Sequence, residues 1–320
     1  MIKHLFFSDP NFYIDWQLGN VCNYDCYYCN DESKLGNYKW PEYEKCVNLV
    51  DNILEYSKPI HKYRTYNLLG GEPTVWKDFE KLCKYIKEND DSSVIQILTN
   101  GSRTLRWWDS NKTYLDKVVI SFHNNTAKKE HIVEVVNLIK EYVAVSVQVL
   151  MDSNNFDACK EAFYFFITAL PGIKVSSKKL ETVLGSGKYM EYTPDQLSWM
   201  KDSGRVSREN ETIKLEKKRD TDIKRVFYLK DADGNITETS NKEIINANLN
   251  NFKNFKCKIG MDMISIKANG NITPSSACFN DSVMGNYRLG TEIKWIHTPF
   301  TCVYDKCFCG ADIEIEKYEE

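Results

Sequence analysis

Eleven cysteines stand in a chain of 320 residues, and their spacing separates chemistry from filler. Three lie close together as Cys22-Asn-Tyr-Asp-Cys26-Tyr-Tyr-Cys29, five come late at Cys257, Cys278, Cys302, Cys307 and Cys309, and Cys46, Cys83 and Cys159 are scattered between them. An odd number cannot all pair within one chain, and in a reducing compartment clustered thiols hold metal more often than they form disulfides. Three thiolates at C-x3-C-x2-C on one loop can close round a common centre. A structural zinc wants four protein ligands, whereas a [4Fe–4S] cluster held by three cysteines keeps one iron open to an outside ligand. The motif taken alone leaves both as alternatives. The scattered three fall in stretches of helical apolar spacing, where a free cysteine serves as a small buried hydrophobe.

The elements that must position these thiols follow from periodicity. Apolar, β-branched or aromatic runs at Phe12 to Leu18, Tyr66 to Leu69, Val94 to Leu98, Val118 to Phe122, Val143 to Leu150 and Ile173 to Ser176 end at polar or glycine-rich junctions and predict strands. Helical spacing fills Tyr43 to Tyr56, Trp76 to Lys87, His131 to Glu141 and Asp157 to Ala169 between them. Alternation of this kind predicts an α/β fold, a partial (β/α)6 TIM-like barrel over residues 10–200. In such a barrel the chemistry belongs to loops leaving the C-terminal ends of the strands. Those loops carry Cys22, Cys26 and Cys29, then Gly70-Gly71-Glu72-Pro73, then Thr99-Asn100-Gly101, then Ser121 and His123.

The alternation stops after about residue 185. A charged stretch, Ser207 to Lys230, and a turn at Asp231 to Asn235 mark residues 201–252 as a charged linker or inserted element. From Cys257 a hairpin follows, Ile264 to Lys267 and Ile272 to Thr273 about Asn269-Gly270-Asn271, ending before Cys278. This predicts a small C-terminal domain over 253–320.

Composition removes other classes. Lys+Arg is 42 against Asp+Glu 45, a net charge of −3, which lacks the basicity of a nucleic-acid binder. Apolar residues at 42% and charged residues at 27% are globular values. The short apolar group Leu5-Phe6-Phe7 falls far below a signal-peptide core, and no run approaches the ~20 apolar residues of a membrane helix. A cytoplasmic protein with no membrane and no nucleic-acid partner is expected.

With Tyr28 at the aromatic position, Cys22-x3-Cys26-x-Tyr28-Cys29 resembles the signature of the radical S-adenosylmethionine (SAM) superfamily, and Gly70-Gly71-Glu72 resembles its GGE motif. The resemblance implies that the backbone at Gly70 and Gly71 and the carboxylate of Glu72 hold the SAM amino group. It also implies that Ser121 and His123 approach the ribose and that Tyr28 contacts adenine, with Asn100 a further cofactor contact. The late cysteines are similar to the SPASM and shorter twitch domains that hold auxiliary clusters. Five cysteines suit one auxiliary [4Fe–4S] cluster, twitch-like. The Cys307-x-Cys309 spacing departs from the usual C-x2-C and leaves open which four ligate, and a zinc ribbon remains the alternative.

The activity so implied is reductive cleavage of SAM to methionine and a 5′-deoxyadenosyl radical that removes a hydrogen atom from a substrate. The substrate is expected to be a peptide, the alternative being dehydrogenation of a small alcohol or sugar-like metabolite; no leader-peptide-binding domain is apparent at the N-terminus. A flavodoxin or ferredoxin is the implied reductant. No acid or base is assigned a catalytic role. A non-catalytic iron–sulfur or zinc protein is the reading from another class.

Overall fold

The periodicity that marks strands in the sequence is a periodicity of burial. In Asn11–Gln17, Phe12, Ile14 and Trp16 are fully buried while Tyr13, Asp15 and Gln17 alternate onto the other face. The same logic at helical spacing buries Cys46, Leu49, Val50 and Ile53 of Tyr43–Ser57, and Phe79, Leu82, Cys83 and Ile86 of Phe79–Asn89. Cys46, Cys83 and Cys159 all lie in this core, as expected of filler.

In the computed structural model, which describes residues 2–8, 11–183, 188–209, 226–278, 282–307 and 309–319, the strands Asn11–Gln17, Tyr63–Leu69, Ser93–Thr99, Lys117–Phe122, Ala144–Met151 and Lys174–Lys179 pair in parallel and in sequence order. Helices Tyr43–Ser57, Phe79–Asn89, Leu105–Asn111, Lys129–Ile139 and Phe156–Ala169 fill the crossovers. The sheet is open, the partial barrel that the sequence predicts. One face packs on the helices; the other lines a lumen. Among the described residues no helix is long and apolar enough to cross a membrane.

Two further features escape local periodicity. The strand Met263–Ile266 pairs parallel with Asn11–Gln17, so the hairpin with Asn271–Thr273 and the short strand Gly285–Asn286 extend the barrel sheet past its first strand. A second sheet joins Ile236–Thr239, Phe227–Asp231, Ile2–Phe7, Lys317–Tyr318, Lys256–Cys257 and Phe300–Thr301. The hairpin turn read at Asp231 to Asn235 is present and connects two of these strands. Much of the charged stretch expected over 207–230 lies outside the described residues. Both sheets cross residue 253, since the N-terminal strand and the chain end share one of them.

Candidate functional site

Residues 20–30 leave the first parallel strand as a loop held down by its neighbours. Gly70 has φ +140°, and a Cβ there would lie 2.4 Å from the carbonyl oxygen of Gly19; at Gly71 it would lie 2.0 Å from that of Val21. The backbones touch because side chains are absent: Gly71 N donates to Gly19 O at 3.1 Å and Glu72 N to Val21 O at 2.9 Å. Asn23 donates to Ser102 Oγ at 2.9 Å and accepts from Asn100 Nδ2 at 2.9 Å. The Tyr27 hydroxyl donates to both carboxylate oxygens of Asp152 at 2.6 Å. The cysteine loop is thus tied to the ends of the second, third and fifth strands.

His123, at the end of the fourth strand, makes another tie. Its Nδ1 lies 3.2 Å from Cys26 Sγ and 3.1 Å from the Tyr28 hydroxyl, with the two rings stacked at 5.9 Å. Burial lowers the His123 imidazole to about 4, so it is neutral at physiological pH. Burial first, then the nearby Glu72 and Cys26, lifts the Cys22 thiol above its ordinary range; burial also lifts Cys26. Lys34 Nζ donates to the Cys26 carbonyl at 3.0 Å and closes the loop on itself.

The structure brings Cys22, Cys26, Tyr28, Cys29, Gly70, Gly71, Asn100, Ser121 and His123 onto the wall of one cavity of about 450 Å³. Glu72 stands behind that wall. It is fully buried, its Oε1 accepting from the Thr74 hydroxyl at 2.6 Å and the Thr99 hydroxyl at 2.7 Å, and its Oε2 from the Asn100 backbone N–H at 2.6 Å. Its acceptor sites brace the GGE loop against the next one, and burial is the main reason its carboxyl is raised above the usual range.

Sequence reasoning missed the Tyr27 to Asp152 tie and a polar row across the lumen. Asp15 accepts from Asn67 Nδ2 at 2.7 Å and from Ser276 Oγ at 2.7 Å, and Asn67 Oδ1 accepts from Gln96 Nε2 at 3.0 Å. Asn67, Gln96 and Gln148 also line the cavity. The signal was present: each is a polar residue at a position that alternates with buried apolar ones along its strand. The carboxylate of Asp312 accepts from the backbone of Ser276 and Ala277 at 3.2 and 3.1 Å, which seats the segment before Cys278 against the short helix Gly310–Ile313.

The late cysteines divide four to one. Cys257 ends the strand Lys256–Cys257, Cys302 follows Phe300–Thr301, and both are buried together with Cys307. The Cys278 thiol donates to Cys307, which moves Cys307 below and Cys278 above the ordinary thiol range. Cys257 feels the charge of Cys302 and Cys307. Cys307 is fixed by two hydrogen bonds to Asn250, each 2.9 Å. Cys309 sits beside carboxylates instead, its thiol pushed up to about 12 by burial and then by Asp312, with Asp15 adding.

Residues 16–172 match the Radical SAM superfamily. Members of that superfamily use a [4Fe–4S] cluster and SAM. The chain is similar to the radical SAM cyclopropyl synthase TigE of Paramaledivibacter caminithermalis, at 26% identity over 44% of this chain and 33% of that protein. It is also similar to the GTP 3′,8-cyclase of Pectobacterium atrosepticum, at 30% identity over 36% of each chain. The matches span about a third of the length of these curated relatives. The fold is that of Streptococcus suis SuiB bound to SAM, with TM-score 0.55 and 15% identity over 87% of this chain and 64% of that one. SuiB bound to its precursor peptide SuiA gives TM-score 0.52 and 16% identity, over 83% of this chain and 59% of that one.

The residues fit these cofactors. Three thiols share a cavity wall with Gly70 and Gly71, and a neutral imidazole and a tyrosine ring lie beside them. Among the described residues no three His, Cys, Asp or Glu side chains are closed to single-ion spacing. A cubane places its cysteines on separate irons and does not ask for that spacing.

Proposed function

We propose that this chain is a radical SAM enzyme that modifies a peptide, with one [4Fe–4S] cluster on Cys22, Cys26 and Cys29 and an auxiliary one on Cys257, Cys278, Cys302 and Cys307. The observation that carries it is the shared cavity wall: three thiols, Gly70, Gly71, Tyr28, Ser121 and His123 face one space. When bound, cluster and SAM supply reductive SAM cleavage and removal of a hydrogen atom from the substrate. The chain's own part is positional. Gly70 and Gly71 offer backbone to the methionine end, Glu72 holds their loop against Asn100, and the Tyr28–His123 stack offers a flat face to adenine.

The peptide reading rests on fold likeness to SuiB, which is solved with a precursor peptide. A second reading, oxidation of a small alcohol or sugar-like metabolite, is favoured by the similarity to a GTP 3′,8-cyclase, whose name gives a small-molecule substrate. A flavodoxin or ferredoxin is the electron donor in this reading, and the cytoplasm is its compartment.

Iron content tests the two-site reading. Anaerobically reconstituted protein should hold about eight irons and the Cys22, Cys26, Cys29 triple alanine variant about four, from two cubanes. Cys307→Ala should lose iron from the tail and Cys309→Ala should not. About four irons plus one zinc would return the tail to a structural role.

A further inference from the structure

The strand Lys317–Tyr318 pairs antiparallel with Lys256–Cys257 and sets Lys317 directly opposite Cys257. Directly opposed residues carry their side chains on the same face of a sheet. Here that face is the interior, for Lys317 is 2% exposed and Cys257 4%. Lys317 Nζ donates to the carbonyl oxygens of Asp312, Ile313 at 3.2 Å and Ile315 at 2.8 Å, and lies 5.3 Å from the centre of the Phe252 ring. An ammonium has three protons. All three are engaged by neutral carbonyls, which leaves none for a carboxylate.

Lysine can cap the carbonyls at the end of a helix such as Gly310–Ile313. Capping needs donors and not a buried formal charge, which is strongly disfavoured without an anion nearby. The residue directly opposite Lys317 supplies that anion when Cys257 binds metal as a thiolate.

We propose that Lys317 is the fixed countercharge of the C-terminal thiolate site, an ammonium pinned by three carbonyls opposite Cys257 that favours an anionic metal–thiolate cluster, and above all its reduced form. This rests on the auxiliary-cluster reading of the tail. Four thiolates leave such a cluster net negative, and an added electron makes it more so. Net charge is one determinant of iron–sulfur potentials. A buried cation at a fixed place therefore raises the potential and makes the site a better electron acceptor.

The test uses the full chain with Cys22, Cys26 and Cys29 replaced by alanine, so that only the tail can hold iron. Iron is counted first in that background with Lys317 intact. A tail without iron there is a failure of the cluster reading itself and removes the countercharge with it. In the iron-loaded background, Lys317→Met should move the midpoint potential, followed by the electron paramagnetic resonance (EPR) signal of the reduced cluster, to more negative values, and Lys317→Arg should leave it near the starting value. A Lys317→Met protein with its iron and an unchanged potential overturns the proposal, since a purely structural lysine would behave so. If Lys317→Met folds by circular dichroism but holds no iron, loading of Lys317→Arg supports the charge requirement. Equal failure of Lys317→Arg overturns it.

Discussion

The hydroxyl of Tyr27 and the buried carboxylate of Asp152 are joined at 2.6 Å across the mouth of the barrel, linking the cysteine loop to the end of the fifth parallel strand. Tyr27 is 56% exposed and Asp152 2%. The exposed partner thus satisfies a charge that cannot reach water.

Tyr27→Phe should therefore loosen the loop without unfolding the sheet. Asp152 keeps the backbone N–H of Asn154 at 3.0 Å but loses its shortest donor. Removing one donor from a buried charged group costs about 1–2 kcal/mol, roughly a five- to thirtyfold larger population of open loop. A chelator should strip iron from the N-terminal site faster by about that factor. An unchanged stripping rate would show that the other ties suffice.

Glu72 separates a brace from a ligand contact. Glu72→Gln keeps size and an acceptor oxygen, but its amide cannot accept from the Asn100 N–H while also accepting from both threonine hydroxyls. An unsatisfied buried group costs about 1–3 kcal/mol. Melting temperature of the iron-free protein should fall in Glu72→Gln, before any SAM is added. A variant with unchanged melting and weakened SAM binding would instead put the carboxylate on the ligand.

Asp15 gives a pH dependence with a definite sign. Burial is the largest cause of its raised carboxyl, opposed by the hydrogen bonds from Ser276 and Asn67. The folded chain thus holds this proton more tightly than the unfolded chain. Its contribution to stability is full below the ordinary carboxylate range and is lost as pH rises through that range towards the folded value. Asp15→Asn retains the Asn67 donation and removes the titration. Its stability relative to wild type should improve as pH rises from about 4 and then level off, by denaturant unfolding at a series of pH values. A difference that does not vary with pH would contradict this.

How much of this was legible in the sequence depends on range. The six parallel strands and the cysteine loop were legible because each rests on local periodicity or spacing. Pairing of Met263–Ile266 with Asn11–Gln17, and of Ile2–Phe7 with Lys317–Tyr318, joins residues some 250 or more positions apart. No local pattern encodes that register. Glu72 was legible as a motif but not as to where its carboxylate points, which Thr99 and Asn100 decide. Asp15, Asn67 and Gln96 looked like interruptions of apolar strands. Only the inward face of the sheet makes a row of them.

The most direct measurement is 5′-deoxyadenosine formation from SAM by the anaerobically reconstituted, reduced protein. Slow formation without added substrate is expected in the wild type. That formation should be lost when Cys22, Cys26 and Cys29 are replaced by alanine, and retained when Cys257 is. Formation that persists in the triple variant would contradict this expectation.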